Sequence, residues 1–225
     1  MIGNCSADVV SSTVPCSDKW VTGTINSFFI GFVATFIATA LGTLAALGLS
    51  RPHMPYKGLI MAILISPMIV PLIITAAGMF FFYARINLVY SFTGIILAHV
   101  ALATPFVVIT VTATLVGFDM NMVKASQSLG AKPLRTFFKI IMPLILPGVI
   151  SGALFAFITS FDEVVIVMFM ASLDQLTIPK QMWAGIRQEI SPVILCMATC
   201  LVVLSIFLLT TVELLRRRSE KLRGI

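Results

Sequence analysis

Charge is scarce in this sequence. Of its 225 residues only 11% are Asp, Glu, Lys or Arg, and there are two histidines, whereas a water-soluble domain ordinarily carries about a quarter of its residues as charges. The phosphate-cradling GxxxxGK[ST], the zinc-binding HExxH and the nucleophile-bearing GxSxG are all missing, so the sequence offers no ground for a nucleotide, zinc or serine-hydrolase site in this chain. Cysteine is sparse as well. Cys196 and Cys200 stand one helical turn apart with no His or carboxylate near them in sequence, which reads as small apolar packing rather than a metal site. Cys5 and Cys16 lie in a short Ser-containing stretch, and pairing between them is left open. The first twenty-odd residues lack the basic start and apolar core of a cleavable leader, so the first apolar helix is expected to act as its own insertion signal.

What the chain has instead is apolar length. It is 59% hydrophobic, with a mean hydropathy of +1.06, and this places it in a bilayer. Trp20 to Ser50 and Gly58 to Ala84 contain no charged residue or histidine, and Ile86 to Phe118 contains only His99. Leu144 to Met170 is interrupted by Asp162 and Glu163, and Pro192 to Leu215 only by Glu213 near its end. About 20 helical residues cross the hydrocarbon core, so the expectation is an all-α, polytopic membrane protein with five transmembrane helices. Unbroken apolar runs of this length do not fit the two-residue alternation of a membrane barrel.

The basic residues orient it. Arg51 and Lys57, then Lys124, Lys132, Arg135 and Lys139, then Arg216, Arg217, Arg218, Lys221 and Arg223 fall on one side, leaving Lys19, Arg85, Lys180 and Arg187 on the other. Short loops rich in Lys and Arg stay in the cytoplasm, so the N-terminus is expected outside and the C-terminus inside. The net charge of +6 is thereby a topology signal and no argument for nucleic-acid binding; its basic tail meets lipid headgroups and water.

The richest segment is the cytoplasmic loop from Gly117 to Pro143. Asp119 is placed to cap a helix from Met120 to Leu129, with Gly130 ending it in a left-handed conformation. Pro133 suits the first position of a second helix, which Pro143 is expected to stop. On that helix Leu134, Phe137, Phe138 and Ile141 share one face and Lys132, Arg135 and Lys139 the opposite one, the pattern of an amphipathic element at the membrane surface. Within the spans, His99 reads as a helix-to-helix hydrogen bonder. Pro67, Pro71 and Pro105 are candidate kinks around a cavity. Asp162 and Glu163 are the acids set inside an apolar run; on a helix they stand about 100° apart, so one can face a cavity while the other meets a donor.

Lys124, Ala125 and Ser126, then Gly130, then Ile140, Met142 and Pro143 follow the spacing EAA, three residues, G, nine residues, I, one residue, LP. This resembles the cytoplasmic loop of the inner-membrane permeases of binding-protein-dependent ABC importers, with Lys124 in place of the family's Glu and Ser126 in place of its second Ala. The FDEVV run at Asp162 and the AGIRQEISP stretch from Ala184 to Pro192 are similar to the spermidine/putrescine permease subgroup. The resemblance implies an external tail over residues 1–24, a five-helix permease domain over 25–215 with its coupling loop at about 117–143, and a basic cytoplasmic tail over 216–225. It implies that Lys124, Ala125, Ser126, Gly130, Ile140, Met142 and Pro143 couple to a separate ATPase subunit, which holds ATP and Mg while this chain carries no cofactor, metal or catalytic site. It further implies a second, homologous permease chain and an external solute-binding protein. Asp162 and Glu163 would then line the path of a small cationic, polyamine-like solute, with Asp162 the leading candidate. The competing expectation is a secondary transporter that binds a proton or sodium ion at the same two acids.

Overall fold

The structure, a computed structural model, describes residues 18–51, 54–116, 121–188 and 192–221; Cys5, Cys16, His53 and Asp119 lie outside them. Helix α1 (Asp18–Leu49) is followed by α2 (Lys57–Ile69) and α3 (Leu72–Arg85), then α4 (Phe92–Val116) and the short α5 (Asn121–Ser128). A continuous helical stretch, α6 (Pro133–Phe161), leads to α7 (Val165–Met170), α8 (Ile178–Gln188) and α9 (Pro192–Lys221). Helices α1, α4 and α6 are each long and apolar enough to cross a membrane.

The second apolar run departs from expectation. It is two helices meeting at 103°, because Pro71 has no N–H to continue the ladder and disfavours helical geometry at the residue before it. Val70 is accordingly extended, at φ −71° and ψ 134°. Pro105, by contrast, is buried within α4, which remains one helix. Length and composition thus identify three spans, or four if the bent pair crosses as one. The fifth expected span coincides with α9, whose described apolar part is Pro192–Phe207.

Pro143 does not stop a surface helix either. It lies inside α6, preceded by a π-helical turn over Phe137–Ile141 in which the Met142 N–H reaches back to the Phe137 carbonyl. A wider turn just upstream makes room for a ring that would otherwise clash with the carbonyl four residues back. The amphipathic segment is therefore the start of a span, with Leu134 and Phe138 exposed.

The core is the packing of α1, α4 and α6. Ala34, Ala38 and Ala46 of α1 meet Ala98, Ala103 and Val107 of α4, and Ile145 and Ala156 of α6, all of them sealed. Lipid tails are as apolar as leucine, so close approach of backbones holds such helices together. A Cβ on Gly42 would lie 2.6 Å from the Val107 Cβ, and one on Gly152 would lie 2.5 Å from the Thr110 Oγ1. His99 of α4 and Ser160 of α6 join through a buried Nδ1 to Oγ hydrogen bond of 2.8 Å, as expected of an intramembrane histidine. Cys196 and Cys200 are exposed on α9 instead of packed inside.

On the face opposite the basic loops, the segment after α7 is pinned by polar contacts. Asn26 of α1 donates to the carbonyls of Asp174 and Leu176 at 2.9 and 3.1 Å, and the Ile178 N–H donates to Ser27 Oγ at 2.9 Å. Lys180 Nζ donates to the Val167 and Ala171 carbonyls at the end of α7, at 3.2 and 3.3 Å. Burial pulls that ammonium below the usual lysine range.

Candidate functional site

Two places carry the residues singled out from sequence. The first is the loop after α4. Helix α5 ends in two capping bonds, Ala131 N–H to the Ser126 carbonyl at 3.1 Å and Gly130 N–H to the Gln127 carbonyl at 2.9 Å, the paired bonds of a Schellman motif. Gly130 takes the left-handed position this motif demands, with φ +77°. Lys124 and Ala125 are exposed on α5, whereas Ser126 is buried. Its hydroxyl lies 2.9 Å from Thr136 Oγ1 of α6 and donates to the Val123 carbonyl, so the residue that departs from the family's second Ala ties α5 to the start of α6. Ile140 and Met142 are half-buried and Pro143 is exposed, all three at or just past the π turn. Leu129 beside them is 88% exposed, an apolar side chain presented beside basic ones.

The second place is the end of α6. Asp162 and Glu163 do not share a helix: α6 ends at Phe161 and α7 begins at Val165, so the 100° separation does not apply. From Lys139, which must reach headgroups, to Asp162 is about 35 Å of helix, close to the thickness of the hydrocarbon core. The acids thus stand at the end of α6 away from Lys139. They also part company. Asp162 is exposed, while Glu163 is buried and its Oε1 accepts the Ile166 N–H at 2.9 Å, holding the first turn of α7.

Glu163 and Thr159 wall a cavity of about 370 Å³ whose other side is the break between α2 and α3, from Pro67 to Leu72, with Leu102 and Phe106 of α4 as its floor. Among the described residues no Lys, Arg or His borders it. The structure therefore brings Glu163, and not Asp162, to the helix break. The kink expected at Pro67 and Pro71 around a cavity is here a full break at Pro71; Thr159 had no signal in the sequence. Among the described residues no three His, Cys, Asp or Glu groups gather as they would around a metal ion.

A helical chain of several apolar spans, with a capped loop between basic residues and a largely apolar cavity holding one buried carboxylate at a broken helix, has the architecture of a membrane transport subunit. Over residues 24–221 the sequence matches the inner membrane component of binding-protein-dependent transport systems, and the chain belongs to that family: a multi-pass inner-membrane permease with no catalytic site of its own. It is 31% identical over 204 residues to the spermidine/putrescine transport system permease protein PotC of Haemophilus influenzae, covering 91% of this chain and 79% of that one. To the putrescine transport system permease protein PotI of Escherichia coli it is 30% identical over 181 residues, 77% of this chain and 64% of the relative. The fold is similar to that of the MetNI methionine ABC transporter in an inward facing crystal form, with a TM-score of 0.70 at 20% identity, covering 88% of this chain and 95% of that one.

Proposed function

We propose that this permease moves a small organic cation of the polyamine class inward by alternating access, driven by ATP hydrolysis with Mg on a separate ATPase subunit. The observation that carries the reading is the cavity at the helix break, walled by the buried Glu163 and bordered by no basic side chain. An ammonium group gains there from the negative charge of Glu163, and among the described residues no basic side chain is at hand to favour an anion. Spermidine and putrescine transport by the relatives agrees with that sign of charge.

In this reading the loop over about 117–143 couples to the ATPase through Lys124, Ala125, Ser126, Gly130, Ile140, Met142 and Pro143. A second, homologous permease chain completes the path, and an external solute-binding protein delivers the amine. The N-terminal tail over 1–24 lies outside and the basic tail over 216–225 inside. The test is uptake of radiolabelled putrescine or spermidine by the reconstituted complex. Glu163→Gln nearly preserves size while removing charge and should reduce uptake by tenfold or more, on the order of the 1.5–3 kcal/mol that a charge-assisted hydrogen bond contributes. Asp162→Asn should reduce it little. Undiminished uptake by both variants would exclude a charge-lined path here.

A further inference from the structure

We propose that the break between α2 and α3 is itself a ligating element: the carbonyl oxygens at the end of α2, with Glu163 opposite, form a site for an ammonium group that still carries N–H donors. The inference rests on the cationic-solute reading and adds what holds the cation.

The backbone account at the break is uneven. The Ser66 carbonyl accepts the Val70 N–H at 3.1 Å. The next carbonyl, that of Pro67, would take the N–H of residue 71, and Pro71 has none. Among the described residues no donor reaches the carbonyl oxygens of Pro67, Met68, Ile69 or Val70. The other proline poses the same problem and is provided for. Pro67 leaves the Ile63 carbonyl without its amide, and Ser66 Oγ donates to that carbonyl at 2.8 Å. Beyond the break, the Pro71 carbonyl already accepts from Ile74 and Thr75 at 2.9 and 3.2 Å. At the break, the carbonyls without a donor belong to residues that border the cavity.

Unpaired carbonyls cannot face hydrocarbon; irregular backbone at membrane depth persists where it lines a wet or occupied cavity. These carbonyls also form the negative end of the α2 dipole, so they add to the charge of Glu163. An ammonium group with three N–H donors needs several acceptors. Glu163 already accepts the Ile166 N–H, so the carbonyls and the Thr159 hydroxyl supply the remainder. A permethylated ammonium keeps its charge and has no N–H, and the site should distinguish the two.

The experiment is equilibrium dialysis of radiolabelled putrescine against the assembled permease and ATPase complex without the binding protein. Permethylated putrescine should compete at least tenfold more weakly than unlabelled putrescine, the loss expected when charge is kept and hydrogen bonds are removed. Pro71→Ala restores an N–H aimed at the Pro67 carbonyl and should weaken putrescine binding by about the same factor. Equal competition by the permethylated amine would overturn the proposal, as would unchanged binding to an assembled Pro71→Ala complex; should that variant not assemble, the amine comparison alone decides. A wild-type complex that binds no amine and transports none defeats the cationic-solute reading itself, whereas loss on Glu163→Gln without discrimination between the two amines defeats only the carbonyl site.

Discussion

Substitution at Gly130 separates backbone conformation from side-chain bulk. The residue sits at φ +77°, and a Cβ built there would meet nothing within 4 Å, so any penalty is conformational. An L-residue in the left-handed region loses about 1–2 kcal/mol relative to glycine, asparagine least and β-branched residues most. If the Schellman cap must be closed for the loop to engage the ATPase, that cost lowers the engaged fraction by about five- to thirtyfold, since each 1.4 kcal/mol is a factor of ten. Gly130→Asn should retain most coupling, Gly130→Ala should lose several-fold and Gly130→Val more. The assay is ATP hydrolysis stimulated by solute-loaded binding protein, with uptake measured in parallel and membrane insertion checked by immunoblot. Asn is larger than Ala, so the order by conformational preference differs from the order by volume. A loss that follows volume, with Asn worse than Ala, would show that the site reads bulk against a partner surface and that the left-handed turn is incidental.

Further outcomes can be checked in the same preparations. Ser126→Ala leaves the buried Thr136 hydroxyl without its 2.9 Å partner and should destabilise the loop by about 1–3 kcal/mol, whereas Ser126→Ala with Thr136→Val should be near neutral; the thermal midpoint of the purified complex measures both, and additive losses would refute the pairing. Gly152→Ala would press its Cβ to 3.0 Å from the Val107 Cα, which is backbone and cannot swing aside. It should lower stability by about 1–3 kcal/mol, and an unchanged melting temperature would mean that α4 and α6 are not held at this spacing. A reporter fused after Arg223 should read as cytoplasmic and a tag before Ser6 should be reachable from outside, as the placement of the basic residues requires; both ends on one side would refute five crossings.

The long uncharged runs made α1, α4 and α6 readable from sequence, because membrane burial leaves a signal in composition alone. Gly130 was legible for a different reason: a left-handed cap has few residue solutions. Pro143 was misread, and the kink expected in the second run is sharper than a kink, because proline has several structural outcomes. At Pro71 the chain breaks by 103°; at Pro143 a π turn absorbs the ring; at Pro105 the helix continues. Which outcome prevails depends on neighbouring helices, which one sequence does not display. That Glu163 rather than Asp162 borders the helix break was hidden for the same reason. A helical wheel does not apply to residues outside any helix, and the two carboxylates are told apart by burial, by the Ile166 hydrogen bond and by the approach of Pro67 to Leu72 from a distant part of the chain.

Helix α6 has one more consequence. It starts beside the capped loop and ends next to Glu163, and between those ends it is gripped against α4 at Gly148 and Gly152. The grip lies about 25 Å from Pro133 and about 17 Å from Phe161 along the axis. A stiff rod tilted about such a fulcrum swings its two ends in opposite directions, in the ratio of its arms. A displacement of about 3 Å at the loop then becomes about 2 Å of opposite sense at the cavity. A single lever would thus narrow one mouth of the passage while widening the other, without any part of the helix having to bend.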